Sequence, residues 1–335
     1  MSNKNERNMV YTKETLRGKI LTVKGIMSPD GMGITLPHEH LICRHQGPDV
    51  DMDNVDIAVQ EIQHFLDEGG KTLVEQSNER IGRDPAALKI ISEATGLNVI
   101  MGCGYYKEAW VLQESLKKSA DEIAAEIEKD IFTGVKIGEE TIHAGHIGEI
   151  GTSKNITEFE INSIRGAARA QKSTGAALSI HFDLDNLENE HEFVLKLLDD
   201  EGVDLRRVVI NHVIPKIDNI DRIIRLSKRG VKITFDHFGI DIDDRMRKLI
   251  DTPTEEQLVT VKELLRRGLI DHLMLSQDLC FKACYKLNGG FGYTNLLKNI
   301  IPFLRKLHVN EYDIERLIQF NARNVFTFGG RFPSY

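Results

Sequence analysis

Two histidines separated by one residue close an apolar run in Thr35-Leu36-Pro37-His38-Glu39-His40. In an extended strand the side chains of residues i and i+2 leave the same face, so His38 and His40 can chelate one metal ion. Zinc takes neutral imidazole nitrogens at roughly 2.0–2.1 Å, and catalytic sites keep a coordination position open for water. Taken alone, the pair reads equally well as two surface histidines beside a turn. Other residues of the same chemistry weigh against that. Gly148-Glu149-Ile150 sets a carboxylate among apolar residues and glycines, where an acid needs a partner or a cation. Leu178-Ser179-Ile180-His181 and Val209-Ile210-Asn211-His212 each end an apolar run in histidine, and Leu273-Met274-Leu275-Ser276-Gln277-Asp278 ends one in an acid. These four histidines and two carboxylates exceed the needs of one zinc. They suit two divalent ions bridged by a carboxylate and a hydroxide.

The elements that must position these residues are legible as alternating patterns. Strands are predicted at Gly33–Leu36, Thr72–Val74, Asn98–Met101, His146–Ile150, Ala177–Ile180, Val208–Ile210, Val231–Phe235 and Leu273–Leu275. Amphipathic helices are predicted at Ile57–Leu66, Pro85–Thr95, Ala120–Thr133, Thr157–Thr174, Glu188–Glu201, Ile220–Lys228 and Thr254–Arg267. Strands alternating with helices predict an α/β fold, a closed (β/α)8 TIM barrel, with the candidate ligands at the carboxyl ends of strands. Ahead of it, Gly18–Ile26 alternates, and Ser28-Pro29-Asp30-Gly31 turns it, predicting an N-terminal β-hairpin that plugs one end of the core. No Pro-, Gly- or Ser-rich linker divides the chain, so residues 1–17 read as a polar arm and 18–335 as a single domain.

The length of 335 residues accommodates one large barrel, whose usual size is about 250 residues. A net charge of −8 argues against a general affinity for nucleic acid. The first residues lack the apolar core of a signal peptide and no run is long enough to cross a bilayer, so a cytoplasmic location without membrane attachment is expected. The four cysteines, Cys43, Cys103, Cys280 and Cys284, match no four-thiolate zinc pattern and read as reduced thiols.

The sequence resembles the phosphotriesterase family of the amidohydrolase superfamily over nearly its whole length, and in particular its phosphotriesterase homology protein branch. The resemblance rests on Gly33–His40, the Gly82-Arg83-Asp84-Pro85 loop, Gly102-Cys103-Gly104-Tyr105-Tyr106, Ala144–Ser153, His181, His212, Leu275-Ser276-Gln277-Asp278 and Asn321-Ala322-Arg323-Asn324-Val325-Phe326. It implies that His38, His40 and Asp278 hold a buried α metal, that His181 and His212 hold a β metal, and that a group on the fourth strand bridges both. Many relatives use a carboxylated lysine there; this chain offers Glu149, and Lys136 reads as a solvated lysine. The ions implied are zinc foremost, with manganese, cobalt or ferrous iron as alternatives. The resemblance further implies attack by a bridging hydroxide, with Asp278 shuttling the proton. Tyr106 would sit beside the reacting oxygen. His237 stands where lactonases of the family show an arginine, which makes it a candidate substrate contact.

The function expected is hydrolysis of a small-molecule ester, a lactone or other carboxylic ester first. Phosphotriesterase, sugar-phosphate lactonase or amide hydrolysis, or a non-catalytic metal-stabilised binding protein, are the alternatives. Relatives are often homodimers. Leu279–Tyr293 is expected to cover the pocket, and His45, His64, His191 and His308 to be solvated.

Overall fold

The computed structural model describes residues 9–44, 47, 49–183, 188–239, 248 and 250–329, so His45 and residues 1–8 of the expected N-terminal arm lie outside the described residues. Within the rest of that arm, Tyr11 and Leu16 are buried in the main core, and the Tyr11 N–H donates to Phe132 O at 2.8 Å.

A short antiparallel hairpin of β1 (Ile20–Thr22) and β2 (Gly25–Met27) comes first. It turns at Val23-Lys24, not at residues 28–31 as the sequence predicts; Pro29–Gly31 forms a separate 3-10 turn leading into the barrel. The Thr22 hydroxyl donates to Gly25 O at 3.0 Å and accepts from Lys24 N at 3.2 Å, which tightens the reversal.

The parallel strands follow: β3 (Ile34–Glu39), β4 (Gly70–Glu75) and β5 (Asn98–Met101) pair in that order. A helix at Ala120–Phe132 comes next, then an antiparallel ribbon of β6 (Val135–Ile137) and β7 (Glu140–Ile142) that the periodicity does not reveal. The second parallel group is β8 (Ile147–Thr152), β9 (Leu178–Phe182), β10 (Val208–Ile210), β11 (Lys232–Phe235) and β12 (Leu273–Leu275). Backbone hydrogen bonds bridge both seams between the groups: Gly148 N to Cys103 O at 2.8 Å, and Asp278 N to His38 O at 3.3 Å. The eight parallel strands thus close into a (β/α)8 barrel with an N-terminal hairpin.

Successive side chains of a strand face opposite ways, and two apolar clusters record this. Leu73, Val99, Leu178, Val208, Ile210 and Leu275 pack outward into the main cluster, against helix residues such as Phe65, Leu88 and Ile164. Val74, Ile100, Ala177, Val209 and Met274 face inward and, with Ile20 of the hairpin and Val325 and Phe326 of the C-terminal helix Asn321–Phe326, fill the barrel at the amino ends of its strands. Along β9 the inward parity of Ala177 passes through Ser179 to His181. The opposite end is therefore left to polar residues.

Candidate metal centre and active site

His38, His40, Glu149, His181, His212 and Asp278 come from five strand ends and converge. Glu149 reaches all four rings: its carboxylate oxygens stand 3.3 Å from His181 Nδ1, 3.4 Å from His212 Nε2, 3.6 Å from His38 Nε2 and 3.9 Å from His40 Nε2. Asp278 Oδ1 lies 3.2 Å from His40 Nε2 and 3.4 Å from His38 Nε2. Ligand atoms of His38, His40 and Glu149, of His38, His212 and Asp278, and of Glu149, His181 and His212 lie within 4.8 Å of one another. Lys136, by contrast, is exposed on the β6–β7 ribbon.

The backbone helps to aim these groups. His212 and Asp278 adopt φ of 59° and 51°, a region non-glycine residues enter at a cost and often at functional sites. His212 N donates to both carboxylate oxygens of Asp236 at 3.2 Å, which holds that turn. Buried Glu160 accepts from Ser153 N and from Glu108 N, each at 3.1 Å, tying the end of the Glu149 strand to the loop that carries Tyr106.

The orientation of two rings follows from their second nitrogens. The only proton of the Ser77 hydroxyl goes to Ile42 O at 2.7 Å, so Ser77 Oγ accepts from His40 Nδ1 at 2.8 Å. His40 then turns the lone pair of Nε2 toward Asp278 and Glu149. His212 Nδ1 faces Asp236 Oδ1 at 3.2 Å, leaving Nε2 for Glu149. A carboxylate or hydroxyl behind an imidazole is the usual support of a metal ligand.

Charge follows the same logic. Burial disfavours charge on His40, yet the neighbouring carboxylates of Asp278 and Glu149 raise it to about 9, so a cation at Nε2 would take the place of a proton there. Burial would likewise raise Glu149, but His181, His212 and His38 hold it well below the usual carboxylate range. The acids thus create a field that stabilises positive charge among the rings. Both ring nitrogens of His38 are buried without a hydrogen bond, the nearest carboxylate oxygens standing at 3.4 to 3.6 Å. Unpartnered imidazole nitrogens facing carboxylates form a donor set of the kind zinc and its neighbours take. These residues fit divalent cations.

Residues 18–326 match the family model described as the phosphotriesterase family. The chain belongs to the phosphotriesterase family. It is 33% identical over 305 residues to the phosphotriesterase homology protein of Escherichia coli, covering 90% of this chain and 100% of that one. It is 27% identical over 366 residues to the N-acetyltaurine hydrolase of Dictyostelium discoideum (92% and 98% covered) and 26% identical over 351 residues to that of Homo sapiens (94% and 99% covered). Among solved structures, a resiniferatoxin-binding protein from Rhodobacter sphaeroides superposes with a TM-score of 0.86 at 31% identity, over 93% of this chain and 96% of that one. The Escherichia coli protein, with phosphate in its active site, gives 0.81 at 31% identity, over 89% of this chain and 99% of that one.

In this family member a cavity of about 40 Å³ is lined by His40, Glu149, His181, His212 and Asp278, with Tyr106, Ile81, Cys43 and Cys280 around them. Tyr106 Oη lies 3.1 Å from His181 Nε2, and burial together with the charges of Glu149 and Asp278 keeps the phenol protonated. His237 does not line this cavity. It is buried behind it, with Nδ1 3.4 Å from Asp236 and Nε2 3.8 Å from Asp278, and burial pushes it down to about 4. Cys280 brings the predicted covering loop to the site, and Tyr293 Oη, at the far end of that loop, donates to His40 O at 2.5 Å. His191 is not solvated as expected: its ring stacks on Phe182 at 4.2 Å and is buried.

Three buried acids were not singled out from the sequence. Asp236 stands behind His38 and His212. Glu75 accepts from Leu41 N and Ser77 N, and Glu39 accepts from Gln277 N and Leu279 N. Each ends or directly follows an apolar strand, the same signal that marks Asp278.

Proposed function

We propose that this protein is a binuclear metal-dependent hydrolase acting at the carbonyl of a small carboxylic ester, a lactone foremost. The observation that carries the proposal is Glu149, which stands within 3.9 Å of all four histidines and so suits a bridge between two cations. Two divalent ions held by His38, His40, Glu149, His181, His212 and Asp278 would lower the pKa of water toward neutrality and polarise a carbonyl oxygen. Zinc is the first candidate, then manganese, cobalt or ferrous iron. Asp278 accepts the proton of the attacking water. Tyr106 donates a hydrogen bond to the reacting oxygen, and the substrate contact proposed for His237 would run through Asp278, 3.8 Å from its Nε2. Residues 18–335 form the working domain, cytoplasmic and paired as a homodimer. No helix among the described residues is long and apolar enough to cross a membrane.

A second reading, amide hydrolysis, is favoured by two observations. Several relatives are named N-acetyltaurine hydrolase, and N-acetyltaurine is an amide carrying a sulfonate. A cavity of about 280 Å³ that shares His212 is lined by Lys216 and Arg222, cations suited to such a group, alongside the acids Asp183 and Asp218. Metal analysis combined with a panel of lactones, aryl esters, N-acetyltaurine and an aryl phosphotriester decides between them. Fastest turnover of a lactone or ester supports the first reading, and fastest turnover of N-acetyltaurine supports the second. No turnover by the metal-replete protein would mark it as a binding protein and overturn both.

A further inference from the structure

A cavity of about 820 Å³ lies at the opposite end of the barrel from the candidate metal ligands. Its walls come from segments that lead into β9, β10, β11 and β12, together with the C-terminal helix: Gly175 precedes β9, Asp204 to Arg207 lead into β10, Lys232 opens β11 and Asp271 precedes β12. Six cations line it, Lys13, Lys172, Arg206, Arg207, Lys232 and Arg316, against two acids, Asp204 and Asp271. In a chain of net charge −8 this is a local concentration of the opposite sign.

The two acids do not neutralise it. Asp204 is engaged by Arg206 through two hydrogen bonds of 2.8 and 3.0 Å, and Asp271 is engaged by Arg316. The three lysines spend protons on backbone carbonyls instead: Lys13 on Lys172 O, Lys172 on Glu201 O and Lys232 on Asp271 O, each at 2.6 Å. None of them ion-pairs with a carboxylate among the described residues. Burial and the adjoining guanidiniums of Arg316 and Arg206 push the Lys232 ammonium down to about 8, a sign of cations crowded together. Arg316 is buried, and its Nε has no hydrogen-bond partner; Asn324 Oδ1, also at the wall, has none either. The first is a buried donor and the second an acceptor, and buried groups of either kind are rarely left unmet.

We propose that this cavity is a binding site for a small phosphate-bearing metabolite, separate from the metal centre. Its volume falls within the range of roughly 300–1,000 Å³ typical of small-molecule sites, and guanidiniums with ammoniums are the groups that grip phosphate oxygens. The anion would lie among Arg206, Lys232 and Arg316, offsetting their mutual repulsion and meeting the free Nε–H.

The test is calorimetric titration of the metal-loaded protein with ADP, with adenosine as the control lacking phosphate. ADP should bind without competing against substrate turnover, and adenosine should not bind. The Lys232→Gln/Arg206→Gln double variant should weaken ADP by about tenfold or more, since two charged phosphate contacts are lost, while metal content and turnover stay as they were. Arg316→Lys, which keeps the charge but not the planar fork, should weaken ADP to a smaller degree. Undiminished ADP affinity in the double variant overturns the proposal. So does adenosine binding as tightly as ADP, or ADP acting purely as a competitor of substrate, which would place it at the metal centre.

Discussion

At Asp278 a single-atom change separates holding a metal from moving a proton. Asp278→Asn keeps an oxygen that can ligate but loses the group that accepts the proton, so turnover should fall by about 10²–10⁴ while much of the metal stays. Metal content and kcat measured on one preparation check this, and near-normal kcat would remove Asp278 from proton transfer. His38→Ala or His181→Ala should strip metal and activity together, since each deletes a ring that faces Glu149 at 3.6 or 3.3 Å. Full occupancy in either variant would exclude that histidine as a ligand. Glu149→Gln should hold about one ion per chain, because an amide lacks the charge that keeps two cations close. Metal loading of the unaltered protein should also be indifferent to added bicarbonate, whereas a carboxylated lysine would load faster with it. The six candidate ligands, which the structure brings together, stand out in the sequence because each lies at or just after an apolar run. Asp236, Glu75 and Glu39 share that signal, but their work depends on distant partners: Glu39 ties down Gln277 and Leu279, over two hundred residues away. Spacing in one sequence does not disclose such pairings.

Among elements, the eight barrel strands were legible in number and order, their ends less so, and the β6–β7 ribbon not at all. β8 runs to Thr152, past the predicted Ile150, because Gly151 and Thr152 still pair with His181 and Phe182 of β9. Its register is set by a neighbour, which local pattern cannot supply. The hairpin's position is fixed in the same way, by Val23 N donating to Val99 O at 3.0 Å and by a close approach at Gly145. A Cβ on Gly145 would fall 2.0 Å from Leu21 O and 2.7 Å from Ile100 Cγ2. Gly145→Ala should therefore force hairpin and strand apart and cost about 1–3 kcal/mol, measurable by denaturant unfolding. An unchanged unfolding midpoint would mean that the hairpin shifts freely.

Across the whole molecule, the polar and apolar ends of the barrel divide its tasks. Phe326 fills the apolar end with Ile20, Ile100 and Met274, and its ring lies 5.7 Å from the buried His146 ring, which burial pushes down to about 4 and so keeps neutral. Phe326→Ala should destabilise the fold by about 3–5 kcal/mol, with the candidate metal ligands still in place in whatever fraction remains folded. Thermal unfolding together with metal stoichiometry tests both halves of that statement. The plug was anticipated for the hairpin but not for the C-terminal helix, since a short apolar stretch near a sequence's end does not reveal which distant strands it covers.

The amide of Gly18 donates to Phe328 O at 2.7 Å and that of Phe328 returns to Lys19 O at 2.9 Å, joining two segments some three hundred residues apart. During synthesis the first of these leaves the ribosome long before the second exists. Until residue 328 emerges, a nascent chain carries Ile20, Ile100 and Met274 without the helix that covers them, and such surfaces invite chaperones or self-association. A premature stop between Asp278 and Phe326 would therefore leave all six candidate metal ligands translated and yet make a product that quality control should recognise as unfinished.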